Sequence, residues 1–336
     1  MSPLAVVKQM QEKVYPFQNQ AIRDTYQALG RGNNKILKLP TGAGKTYIAA
    51  AIIAHAISKQ RKVMFLVDRL SLLEQTKDEF AKLGLRGSII QGDNTDYQYG
   101  DDLVIASIQT LENWSGWPEV NLVIVDEAHD QRKALAEKMA EWTGVKWLGL
   151  TATPYTTGLG LTWTEVVEGP SVRDLIDMGY LSDFQAWGIP PDLGKVHTKR
   201  GDFDQKELAE AVNTTEITGN ILKHWREHAA DRKTMVFAVD IAHSKAIVAR
   251  FCEAGIKAEH IDCYADGQEK FHIIDRFRRG ETQVLSSVTM LAKGFDVKDV
   301  GCVILARPTK SLSLYIQQVG RGLRTAEGKQ DCIILD

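Results

Sequence analysis

The chain has 336 residues, 44% hydrophobic and 25% charged, with a formal net charge of −2. At about 100–200 residues per domain this length predicts two domains, and the composition excludes collagen-like, disordered and disulfide-stapled chains. The first 168 positions hold 18 basic and 19 acidic residues and the last 168 hold 23 and 24, so gripping nucleic acid by bulk charge is excluded and any such binding needs a local groove.

No apolar run reaches the ~18 residues of a membrane span. Lys8 and Lys13 are not followed by the apolar run of a signal peptide, so a cytoplasmic location is expected. Cys252, Cys263, Cys302 and Cys332 form no CxxC pair and read as reduced thiols.

Along the chain, apolar runs at 36–39, 63–67, 103–107, 122–125 and 147–150 alternate with longer stretches of helical period. Short runs of this kind predict strands of a parallel sheet buried on both faces by crossover helices. The rhythm repeats at 184–189, 235–239, 259–261, 284–288, 303–306 and 332–335. Two doubly wound α/β domains are therefore expected, 1–168 and 169–336, divided where Gly and Pro cluster, with 190–204 an exposed connection inside the second.

Thr41-Gly42-Ala43-Gly44-Lys45-Thr46 follows the first strand-like run and precedes an Ala-rich stretch of helical length. Glycines let successive backbone N–H groups and a helix N-terminus face phosphate oxygens. Lys45 adds positive charge for the β and γ phosphates, and Thr46 a hydroxyl for Mg²⁺. Leu39 occupies the place of the pattern's first Gly. Some 80 residues on, Asp126-Glu127-Ala128-His129 ends another apolar run. Paired carboxylates at the C-terminal edge of a parallel sheet suit a metal-side ligand, Asp126, and a general base, Glu127. Positive charge for a phosphoryl-transfer transition state is offered far downstream by Arg321 and Arg324, expected on one helical face after an amphipathic run.

These segments, with Thr151-Ala152-Thr153 and Gly294-Phe295-Asp296, stand in the order found in superfamily 2 helicases, and the chain resembles the DEAH-type DNA helicases related to RadD and to restriction-enzyme motors. The resemblance implies two RecA-like domains, each a mostly parallel sheet with helices on both faces, using ATP and Mg²⁺. It implies nucleotide contacts from Gln18, with Tyr15 beside it, from Thr41 to Thr46, and from Gly294 and Asp296. Gln317, Arg321 and Arg324 resemble the elements that reach the γ-phosphate, Thr151 to Thr153 the link between nucleotide state and strand, and His129 a coupling residue.

Strand contacts are expected from Arg69, Gln109 and Thr110 through the sugar-phosphate backbone, which suits a motor indifferent to sequence. Trp114 and Trp117 read as packing or as base-stacking groups, and Lys270, Arg276, Arg278 and Arg279 as solvated surface or a basic contact. His224 and His228 are spaced i, i+4, but Glu227 and Trp225 give no third metal ligand in view, and the segment reads as a surface helix. The motifs run from Gln18 to Arg324, leaving little sequence at either end, so translocation on, or remodelling of, single-stranded, forked or branched DNA is expected over unwinding of long duplexes. An RNA helicase and a motor or switch subunit of a larger nuclease or modification complex are the alternatives.

Overall fold

The computed structural model describes residues 14–68, 72–92, 95–114, 116–188, 196–199, 201–212, 215–288 and 297–336, without the side chains of 215–218. Arg69, Gly294 and Asp296 lie outside the described residues. The chain divides into two compact units, Met1–Ser171 and Val172–Asp336.

In the first unit, helix α1 (Pro16–Arg31) precedes β1 (Asn34–Lys38), α2 (Lys45–Ser58), β2 (Val63–Val67), α3 (Leu73–Lys82), β3 (Ser88–Ile90), β4 (Leu103–Ser107), the short α4 (Ile108–Leu111), β5 (Leu122–Asp126), α5 (Lys133–Glu141), β6 (Lys146–Thr151) and β7 (Glu165–Glu168). Seven parallel strands form one sheet in the order β3-β4-β2-β5-β6-β1-β7. Alternate residues fill the two faces. Met64 and Leu66 of β2 join Val123, Val125 and Trp147 in one core, while Phe65 meets Phe80 of α3 edge to face on the other side at 5.0 Å. Each such buried side chain contributes about 1.5–3 kcal/mol.

In the second unit, α6 (Val172–Asp177), β8 (Asp183–Trp187), β9 (Thr198–Lys199), β10 (Asp202–Phe203), α7 (Gln205–Val212), α8 (Thr215–His228), β11 (Thr234–Ala238), α9 (Ile241–Glu253), β12 (Ala258–Ile261), α10 (Gly267–Arg279), β13 (Val284–Ser287), β14 (Cys302–Ala306), α11 (Leu312–Gly322) and β15 (Asp331–Leu335) follow. Six strands pair in parallel in the order β12-β13-β11-β14-β15-β8. Met235, Phe237, Val303 and Leu305 pack with Ile273 and Phe277 of α10 on one face. Val236, Ala238, Ile304 and Ile333 pack with Trp225 of α8 and Phe251 of α9 on the other. Helix starts follow local chemistry: Asp240, Asp266 and Ser311 accept hydrogen bonds from the backbone N–H groups of His243, Glu269 and Leu314, as N-caps do.

The parallel, doubly covered sheets agree with the sequence reading. Strand β8 departs from it, because all five of its residues are exposed. It is an edge strand, held by its pairing with β15. Cys302 and Cys332 are buried, whereas Cys252 and Cys263 are exposed, and all four are free thiols. No helix among the described residues is long and apolar enough to cross a membrane.

Candidate active site

Three neighbouring strands carry the candidate chemistry at their C-terminal ends. The phosphate loop follows β1, the Thr151 segment ends β6, and Asp126 to His129 follow β5, with β6 lying between the other two. The register puts Lys38 beside Thr151 and Asp126 beside Leu150, so the three segments emerge at one level. In the loop, Gly42 and Gly44 have φ of 88° and 79°, conformations that favour glycine. Lys45, first residue of α2, donates from Nζ to the carbonyls of Leu39 and Pro40 at 3.1 and 3.2 Å, which turns its ammonium into the loop. Leu39 is fully buried. A side chain on Gly169 would strike it, so the departure from the glycine pattern is accommodated by a glycine elsewhere.

Gln18 is buried and donates from Nε2 to the Ala43 carbonyl at 3.0 Å, while its Oε1 accepts from the Tyr15 N–H at 3.1 Å. The structure thus brings Gln18 onto the phosphate loop, with the Tyr15 backbone tied to Gln18. Beside the loop, Lys38 pairs with Glu168 at 3.2 Å and lies 5.3 Å from the Tyr155 ring centroid. The hydrogen bond to Tyr155, then that to Glu168, holds its ammonium pKa above the ordinary lysine value against the opposing effect of burial.

Asp126 and Glu127 are both half-buried. Glu127 has φ of 49°, a strained backbone for a non-glycine residue, and its Oε2 lies 3.3 Å from His129 Nδ1. The same nitrogen lies 2.9 Å from the Thr151 hydroxyl, which also accepts from the Thr153 N–H at 3.0 Å. Thr156 donates from its hydroxyl to the His129 carbonyl at 2.9 Å. His129 therefore joins the carboxylate loop to the segment after β6 within one unit. Thr46 and Asp126 offer a hydroxyl and a carboxylate, the hard oxygen donors that Mg²⁺ takes.

Gln109 is exposed and Thr110 half-buried, both on α4 at the end of β4. Nearby, Arg132 reaches Asp68 after β2, Glu112 beyond α4 and Asp130 after the carboxylate pair, at 3.3, 3.7 and 3.8 Å. The sequence reading missed this connection, since no spacing ties residue 132 to residue 68. Trp114 and Trp117 pack against the first unit's core, and Trp117 Nε1 donates to the Leu111 carbonyl at 3.0 Å.

In the second unit, Gln317 and Arg321 are buried on α11. The helix ends at Gly322, so Arg324 lies beyond it, bridged to Leu181, and the expectation of two arginines on one helical face is corrected. The turn is held by its carbonyls. Ser182 donates its N–H to Leu323 O at 2.8 Å and its hydroxyl to Arg324 O at 3.0 Å. Lys329 Nζ donates to Arg324 O at 2.7 Å and to Gly322 O. Burial pushes the Lys329 ammonium down to about 8. Three of the four basic residues on α10 are engaged internally: Arg276 with Glu259, Arg279 with Asp275, and Lys270 with the Cys263 carbonyl.

A chain the sequence reading did not foresee links Asp262, His260, Ser244 and Ser286, with contacts of 3.0, 2.6 and 2.6 Å. Ser244 and Ser286 are wholly buried.

Residues 11–156 match the family described as type III restriction enzyme, res subunit, and residues 213–326 match the helicase conserved C-terminal domain. The two matches stand in the order of a superfamily 2 helicase, which the chain resembles. It is 31% identical over 304 residues to a 51.5 kDa protein of a Lactococcus phage, covering 89% of this chain and 64% of that one. It is 31% identical over 348 residues to a Saccharomyces cerevisiae protein provisionally named ATP-dependent helicase IRC3, covering 95% and 50%. The chain thus spans about half to two thirds of the length of these relatives. The DNA-bound ATP-dependent type ISP restriction-modification enzyme LlaBIII superposes with a TM-score of 0.72 at 19% identity, over 96% of this chain and 27% of that one. The Hef helicase domain of Pyrococcus furiosus gives 0.56 at 18%, over 97% and 96%. Both likenesses show the two-domain RecA-like fold.

Proposed function

We propose that this chain is the motor core of an ATP-dependent DNA helicase or translocase. The observation that carries the reading is the adjacency of β1, β6 and β5, whose C-terminal ends bear a phosphate loop, a threonine switch and a carboxylate pair. Lys45 and the backbone N–H groups of 41–46 bind the phosphates, and Gln18, with Tyr15 beside it, contacts the adenine. Thr46 and Asp126 hold Mg²⁺, which when bound neutralises charge on the phosphate oxygens. Glu127 accepts the proton of the attacking water. Gln317, Arg321 and Arg324 orient water and stabilise the transition-state charge, and Gly294 and Asp296 join nucleotide to strand. Arg69, Gln109 and Thr110 contact the DNA backbone.

Hydrolysis yields movement when the motor grips the strand differently with and without ATP. The near-neutral chain favours few phosphate contacts, hence motion on single-stranded, forked or branched DNA and a shallow salt dependence, since each neutralised phosphate adds about 0.9 to the slope of log K against log salt. The test is the ATPase rate of the purified chain with single-stranded, duplex, forked and four-way DNA and matched RNA, beside binding across a salt series. DNA stimulation exceeding that by RNA supports the reading. Preferential stimulation by RNA replaces it with an RNA helicase, and no stimulation with a nucleotide switch that needs a partner.

A further inference from the structure

We propose that His224, Glu227 and His228, at the C-terminal end of α8, form a surface site for a borderline divalent metal ion such as Zn²⁺ or Ni²⁺. The two histidines are one helical turn apart, and the sequence offers no third ligand for them. In the folded unit Glu227 supplies it. Its Oε2 lies 4.0 Å from His224 Nδ1 and 4.0 Å from His228 Nε2. One ligand atom from each of the three residues lies within 4.8 Å of the others.

Ligand atoms of a tetrahedral zinc site stand about 3.3 Å apart, given bonds of about 2.0–2.1 Å. Two of the three separations exceed that by about 0.7 Å and none by more than about 1.5 Å, a gap that the exposed Glu227 and half-buried His224 side chains must close by rotation. Two imidazoles and one carboxylate suit zinc, nickel, cobalt or copper, whereas Mg²⁺ takes oxygen alone. Three protein ligands leave one coordination position to water or to a fourth group.

The scaffold under these ligands is fixed. Leu222, Trp225 and Ala229 anchor the inner face of α8 in the core, and Trp225 Nε1 donates to the Thr234 hydroxyl at 2.7 Å. The His228 ring is stacked on Trp187 of the edge strand β8, with centroids 4.3 Å apart and planes 14° from parallel. It is near parallel to the His224 ring as well, at 4° and 6.4 Å. A ring held this way loses little rotamer freedom on binding a metal. Bound metal would be held by one helix end beside the exposed edge of the sheet, using none of the residues assigned to nucleotide or strand.

The test titrates the full chain with ZnCl₂ and with NiCl₂ in excess Mg²⁺, by calorimetry and by quenching of tryptophan fluorescence with Ni²⁺. One ion per chain is expected, with His224→Ala and His228→Ala each weakening binding at least about tenfold and Glu227→Gln weakening it too. Trp187→Phe should remove most of the Ni²⁺ quenching while retaining the ion. The basal ATPase rate of each variant reports that the fold is intact. Cys252→Ser and Cys263→Ser together test the exposed thiols, and binding should survive them. Absence of stoichiometric binding by the unmodified chain, binding that persists in the His224→Ala/His228→Ala double variant, or loss of binding with the thiols overturns the proposal.

Discussion

The Nδ1 atom of His129 and the hydroxyl of Thr151 lie 2.9 Å apart, and this contact joins the loop of the candidate general base to the segment that follows β6. The Thr151 hydroxyl also accepts from the Thr153 N–H, so one oxygen serves two loops. Thr151→Val keeps the shape and removes the oxygen. It should cost about 1–3 kcal/mol in urea unfolding, because a buried N–H and an imidazole nitrogen lose a partner. Thr151→Ser should restore most of it. A Thr151→Val protein as stable as the parent would contradict this account.

Gly44 is left-handed, and a Cβ there would sit 2.5 Å from Gln18 Nε2. Gly44→Ala combines an unfavourable φ with the displacement of Gln18 from the Ala43 carbonyl. Loss of about 1–2 kcal/mol of stability and a clear weakening of ATP binding are expected, read by urea titration and by equilibrium binding of a fluorescent ATP analogue. Unchanged binding would show that the Gln18 contact does not shape the nucleotide site.

Lys45 and Glu127 should separate binding from chemistry. Lys45→Ala is expected to lose turnover with the fold intact. Glu127→Gln is expected to keep Mg·ATP affinity while hydrolysis slows by about 10²–10⁴, the usual contribution of a positioned base. Single-turnover hydrolysis with labelled ATP distinguishes the two, and near-normal rates in both variants would remove the assignment.

Arg321→Ala should lower turnover by about 10³–10⁵, as loss of an arginine finger does, with a much smaller change in ATP affinity. Arg324→Ala should act in the same sense. Steady-state kcat and KM decide: a raised KM with unchanged kcat would make Arg321 a ground-state contact alone.

Lys329 should make stability depend on pH in a defined sense. Its folded value of about 8 lies below the ordinary lysine value of 10.5, so between these two values the unfolded chain binds the extra proton. Stability relative to a Lys329→Met protein should therefore rise with pH across about 8 to 10, by about 1 kcal/mol per unit, and level off above. Paired urea titrations at pH 7, 8, 9 and 10 measure the slope. A flat difference would mean that the ammonium is not destabilised by burial.

Much of the fold was legible because parallel strands buried on both faces leave uninterrupted apolar runs, and β2, β4, β11 and β14 lie where those runs fall. Strand β7 was not legible, since its Glu-Val-Val-Glu sequence is half charged. Its end residues pair with Arg31, Lys35 and Lys38 across more than 120 residues of sequence. Strand β3 has three residues and β9 and β10 two each, too few to show a period. At the site, the local order of Lys45, Asp126 and Glu127 carried the reading. The partners of Gln18, Thr151, Arg132 and Lys329 escaped it, because each bond runs to a backbone carbonyl or to a side chain that no spacing connects.

The placement of β1 bears on how the chain acquires its site during synthesis. Residues 34–38 pair only with 146–151 and 165–168. The strand that launches the phosphate loop therefore has no sheet partner until more than a hundred further residues exist. Closing so long a loop before any strand pairing rewards it is a slow event. Until then, the loop has only its local partners, the Leu39 and Pro40 carbonyls for Lys45 and Gln18 for Ala43. The strand that launches the phosphate loop is thus flanked on both sides only once the first unit is finished.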